Sequence, residues 1–142
     1  MKNICILALL IFNNSCATLN KQKDMKVEKM VIAFQDFFEN DTVSITLNDC
    51  QLFENKVLNS IKEIGYTGVT LLINNQNEVL LGSAVLNIPC RVNLKSENKV
   101  SVVLNGSIET FTIDLNKGIY IGFDKKGDHL YLIQSKMPFE YD

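Results

Sequence analysis

The chain reads as an all-β domain, an antiparallel β-sandwich of immunoglobulin-like or related topology built from hairpins, and three observations predict it. Val43, Ile45 and Leu47 alternate with Thr42, Ser44 and Thr46, the period-two rhythm of a strand with one wet face. The wording then recurs, with Asn98 to Gly106 matching this stretch at Val43/Val100, Ser44/Ser101, Leu47/Leu104 and Asn48/Asn105. Asn-marked corners separate the extended runs, and the only prolines are Pro89 and Pro138, so the turns rest on residues that tolerate a left-handed backbone. At 142 residues, one domain with its own core is expected. The balance of 14 basic against 16 acidic side chains, with no Trp, carries no electrostatic footprint for nucleic acid, and that partner class is set aside.

The elements follow in order. Met30 to Phe38 fits both helical and strand spacing, and the Asn40-Asp41 turn leading into a clearly extended run favours a strand. Asn48-Asp49 predicts a two-residue hairpin turn that sets Leu47 opposite Cys50 and Ile45 opposite Leu52, with Cys50 in the core. Val57, Leu58, Ile61 and Ile64 recur at helical spacing before Gly65, so a short helix or irregular crossover is expected over 54–64. The runs 69–73 and 79–86 flank Asn74 to Asn77 as another hairpin, and 90–94 reads as a strand starting after Pro89 at a sheet edge.

Asn105-Gly106 carries the firmest register: it pairs Val100 with Phe111 and Asn98 with Ile113, leaving Glu109 opposite Val102 with a route to water. Asn116-Lys117-Gly118 turns the chain into a strand from Ile119. For the last hairpin, a four-residue loop over 125–128 pairs Phe123 with Leu130 and Ile121 with Leu132, burying more aliphatic surface than a five-residue loop. Tyr120, Tyr131 and Ile133 then share the opposite face. The total is eight to ten short strands, the pattern of a sandwich.

Ahead of this domain, Met1-Lys2-Asn3 and the apolar run Ile4 to Phe12 form a charged region and a hydrophobic region too short to span a bilayer. The following Asn13-Asn14-Ser15-Cys16 resembles the lipobox of bacterial lipoproteins, although Asn13 stands where that family places Leu or a similar residue. The resemblance covers about the first 16 residues and implies that Cys16 becomes the lipidated first residue of the mature chain. Because Ala17 is not Asp, it further implies an outer-membrane destination. Ser15-Cys16-Ala17 also satisfies the small-x-small rule, so cleavage after Ala17 and soluble periplasmic or secretory export is the alternative. The expected organisation is a signal peptide over 1–16, a solvated tether over 17–28 and the sandwich over 29–142.

Candidate chemistry is sparse. Cys50 and Cys90 are the cysteines left to an exported domain; an oxidising compartment permits a disulfide between them, and two small buried hydrophobes are the alternative. His129 is the single histidine and sits in a polar turn whose spacing matches no calcium or zinc motif. No catalytic residue, metal or cofactor is expected. Tyr66, Tyr120 and Tyr131 are candidates for an exposed aromatic surface for a protein or glycan partner, unless the chain end from Met137 to Tyr141 covers them. The sequence thus predicts an exported, lipid-anchored, non-catalytic binding or envelope module. A carbohydrate-binding module and a small periplasmic inhibitor or immunity factor are the alternatives.

Overall fold

Residues 28–141 are described by a computed structural model; the expected signal segment, Cys16 and the expected tether up to residue 27 lie outside them. The strands are β1 (Glu28–Phe34), β2 (Asp41–Leu47), β3 (Cys50–Leu58), β4 (Val69–Asn74), β5 (Val79–Leu81), β6 (Ala84–Val85), β7 (Glu97–Leu104), β8 (Ser107–Asp114), β9 (Tyr120–Lys126) and β10 (His129–Ser135). They form a six-stranded sheet in the order β10-β9-β1-β4-β5-β6 and a four-stranded sheet in the order β3-β2-β7-β8. One core fills the space between the sheets, so the domain is a β-sandwich. Phe34 lies at its centre, with the rings of Phe38, Phe53 and Phe123 at 5.9, 5.9 and 5.7 Å.

The recurring wording acquires a physical meaning in the smaller sheet, where its two copies are neighbours. β2 pairs antiparallel with β7, Val43 opposite Leu104 and Leu47 opposite Val100, and the two turn asparagines act reciprocally. Asn48 receives the Lys99 N–H on its side chain at 2.9 Å and donates its own N–H to the Lys99 carbonyl at 2.8 Å. Asn105 does the same with Thr42, at 2.8 and 2.9 Å. Both hold positive φ, 48° each, as the tight hairpin turns require.

Several registers follow the sequence and others depart from it. Leu47 opposes Cys50, Val100 opposes Phe111 and Asn98 opposes Ile113, as expected. Ile45, however, faces Phe53 and not Leu52, because β3 carries extra residues at two irregularities. At the second, Asn55 adopts φ 52° and gives its N–H to the Ser44 hydroxyl at 2.9 Å. No helix forms over 54–64: β3 continues to Leu58 with Val57 exposed, and the irregular crossover to the other sheet starts only at Asn59, turning through a bridge between Ile61 and Tyr66. The expected strand over 90–94 is instead an irregular segment between β6 and β7.

The last hairpin is tighter than either loop considered. Lys126 pairs with His129 and Phe123 with Leu132, leaving Gly127-Asp128 as a two-residue turn with Gly127 at φ 62°. Glycine at the first central position is the requirement of a II′ turn. The inward face is still the leucine face, but Lys125 now opposes Leu130 on it. Its ammonium is accommodated at 2.9 Å from the buried Asp41 carboxylate. Ile133 sits across from Gly122, and Tyr131 across from Asp124.

The sheets are not purely antiparallel, since β1 and β9 run parallel, Val31 beside Tyr120 and Phe34 beside Phe123. Side chains close the seam between β10 and β8. The Leu130 N–H donates to Glu109 Oε1 at 3.0 Å, so Glu109 is occupied at the seam instead of turning to water, and Gln134 Nε2 donates to the carbonyls of Asp114 and Gly118.

Candidate binding groove

The chain leaving β1 is held in place residue by residue. The Asp36 N–H donates to Asp124 Oδ1 at 3.2 Å, and the Lys125 N–H returns a bond to the Asp36 carbonyl at 3.0 Å. Ser60 spans the same turn: its hydroxyl donates to the Gln35 carbonyl and accepts from the Phe38 N–H, both at 2.9 Å, while its own N–H donates to the Phe38 carbonyl. Phe38 is thereby buried against Phe34. Its neighbour Phe37 is forced outward, 64% exposed, at φ 67°. A bulky side chain in the left-handed region is costly and persists only where the surroundings over-determine it. Here six hydrogen bonds across three segments do so.

Phe37 forms one wall of an open groove of about 610 Å³, whose other apolar lining is Tyr131, Leu132 and Ile133 and whose rim is 124–127. Such a volume suits a few side chains or a small molecule. The charges around it are unequally available. Lys125 is engaged by Asp41, and Asp124 accepts from the Asp36 N–H. Lys126 lies over the Tyr131 ring, 5.4 Å from its centroid, and has no carboxylate partner among the described residues.

Below the rim, burial raises the pKa of the Asp41 carboxyl, and four contributions outweigh it: bonds from Asn105 and Lys125, the Glu39 N–H and the Lys125 charge. The net is a pKa below the ordinary 3.8.

The sequence-derived candidates are distributed differently. Tyr131 belongs to the groove and is 52% exposed. Tyr120 is half-buried, its hydroxyl donating to Glu28 at 3.1 Å; burial first, then this carboxylate, raises its pKa above the usual value. Tyr66 stacks on Tyr141, centroids 4.4 Å apart and planes 18° from parallel. Among the described residues, no ring contact joins any two of the three. The chain end is a strap over the outer face of the six-stranded sheet. Phe139 approaches Gly122, and the Tyr141 hydroxyl accepts from Gln35 Nε2 at 3.0 Å. Burial first, then the Tyr66 and Asp124 charges, raise the Tyr141 pKa despite the Gln35 bond.

Cys50 and Cys90 are joined as a disulfide, Cα atoms 5.7 Å apart, and neither lines the groove. His129 is exposed, its Nδ1 3.7 Å from Glu109. Among the described residues, no cluster of three or more His, Cys, Asp or Glu side chains is arranged to hold a metal ion.

Phe37 and Lys126 were not singled out by the sequence. A Phe-Phe pair after a strand does show that one ring must leave the core, because side chains alternate, but it does not say which. Against known proteins the chain is isolated: no family model, curated protein or solved structure matches it.

Proposed function

We propose that this protein is an exported, lipid-anchored binding module, with Cys16 carrying the anchor and the Phe37–Tyr131–Ile133 groove as its recognition surface. The observation that carries the reading is Phe37, a large apolar side chain held outside the core by a hydrogen-bonded loop and lining an open groove together with a second aromatic residue, Tyr131. Binding energy concentrates in such anchors when they are organised in advance, because little conformational entropy is lost on contact. The reading is non-catalytic: the groove's titratable side chains are Lys125, Lys126, Asp124 and the Tyr131 phenol, with Lys125 paired to Asp41 and Asp124 accepting from the Asp36 N–H, and among the described residues no second carboxylate, histidine or thiol lines it.

A carbohydrate platform is less well supported. Tyr66 presents one face to Tyr141, and Tyr131 has Lys126 above it, whereas sugar stacking needs open, coplanar rings. An inhibitor or immunity role stays within the main reading, since a rigid exposed Phe suits insertion into another protein's cleft.

Two measurements test the proposal. Fatty-acid labelling of cells should mark the wild type and not Cys16→Ala; equal labelling, or none in either, removes the anchor. Purified wild type should retain a partner that Phe37→Ser releases, and retention unchanged by that substitution removes the groove.

A further inference from the structure

Resting on the groove as the recognition surface, we propose that its partner is a polypeptide segment setting a carboxylate beside an aliphatic or aromatic side chain, with Lys126 as the group that reads the carboxylate. The groove presents two kinds of surface. Phe37, Tyr131 and Ile133, at 64%, 52% and 41% exposure, are apolar area left to water, and burying such area is the main driving force of association.

The polar groups decide the rest. Lys125 is committed to Asp41 and Asp124 to the Asp36 N–H; the neighbouring Lys62 lies 3.3 Å from Glu39. Among the described residues, Lys126 is the groove cation without a carboxylate partner, and its position over Tyr131 holds the charge at the edge of the apolar surface. An occupant burying only apolar groups would strip water from this ammonium with nothing in return. One supplying a carboxylate at that edge satisfies it and gains a charge-assisted hydrogen bond.

A sugar fits poorly. Its hydroxyls need several free donors and acceptors, whereas Lys125 is taken by Asp41 and Asp124 Oδ1 already accepts from the Asp36 N–H. A bilayer fits poorly as well, because these side chains line a concavity. An acidic-apolar peptide matches both surfaces. Its specificity comes from charge and its affinity from Phe37.

The test is a random dodecapeptide display library selected in parallel on the full-length wild type and Lys126→Glu. Lys126, and Phe37 substituted below, are both exposed, and thermal melting checks that each variant folds. The wild type should enrich peptides with Asp or Glu adjacent to a large apolar residue. Lys126→Glu should keep the apolar residue and exchange the acid for Lys or Arg. Raising salt from about 50 to about 500 mM should weaken the wild-type complex about threefold to tenfold and the Lys126→Gln complex much less.

Identical peptides from both selections, or wild-type peptides without an acid, overturn the role given to Lys126 while leaving the groove intact. Selected peptides that bind Phe37→Ser as tightly as wild type overturn the groove itself. No enrichment, with anionic vesicles or a glycan array bound in a Phe37-dependent manner, overturns the peptide assignment.

Discussion

Asn48 and Asn105 do the same work at opposite ends of one strand pair. Each turns its own hairpin and caps the first residues of the other's strand through a side-chain oxygen and a backbone N–H. Replacing Asn105 by Ala removes the acceptor for the Thr42 N–H and a donor to buried Asp41, and should cost about 1–3 kcal/mol in urea unfolding; Asn48→Ala should cost a similar amount. Asp41 adds a pH dependence with a definite sign. Its folded pKa is lowered, so its contribution is complete above the unfolded value and lost as pH falls through the folded one. The urea midpoint of the wild type should therefore drop below about pH 4, and Asp41→Asn should flatten that acid limb while lowering stability at neutral pH. An acid limb unchanged in the variant would remove Asp41 as its source. The repeated wording was legible in the sequence, and so were the two turns. That the copies lie side by side was not, because self-similarity carries no information about which strand a strand will pair with.

At the scale of elements, the disulfide fastens the irregular segment after β6 to the start of β3. Val92 in that segment is buried, and Leu86, Ile88 and Leu94 pack against the core. The bridge spans a sequence separation of 40, so its loss should cost about 4 kcal/mol by loop-closure entropy. Reduction should also speed tryptic cleavage at exposed Arg91 in the folded protein; equal rates with and without reductant would show that the segment holds itself. The strap is the second such element. A Cβ on Gly122 would overlap the Gln35 amide and meet the Phe139 ring at 3.0 Å. Gly122→Ala should thus loosen Phe139 and Tyr141 and accelerate carboxypeptidase trimming of the chain end, at a cost of about 1–3 kcal/mol.

These elements also mark where sequence reading reached its limit. β1 looked ambiguous because Met30 to Phe34 is buried on both faces, and a central strand covered twice loses its alternation. The cover on its outer face includes Phe139 and Tyr141, more than 100 residues downstream. The register of the last hairpin is hidden in the sequence for a related reason. Inward Lys125 argues against the true register until its partner Asp41, distant in sequence, is known, although Gly127-Asp128 was a readable turn signal.

In the whole molecule, sheet edges on both sides of the sandwich carry devices that interrupt or replace strand pairing. β3 is interrupted by two irregularities and carries Glu54 and Lys56, features that discourage edge-to-edge pairing. The β8–β10 seam is tied by Glu109 and Gln134, and the strap covers part of the outer face. Phe37, Tyr131 and Ile133 remain exposed around their groove. The parallel pairing of β1 with β9 matters here, because it brings the loop after β1 beside the rim of the last hairpin, where the Lys125 N–H meets the Asp36 carbonyl. No local pattern foretells that pairing; a parallel neighbour is set by the path of the entire chain. The most direct test places a photo-crosslinking amino acid, in separate variants of the full chain, at positions 37, 131, 66 and 108 in the producing cells. The account predicts one shared protein adduct from 37 and 131 that is weak or absent from 66 and 108. Adducts of equal strength from exposed Ile108, or none from 37, would contradict it.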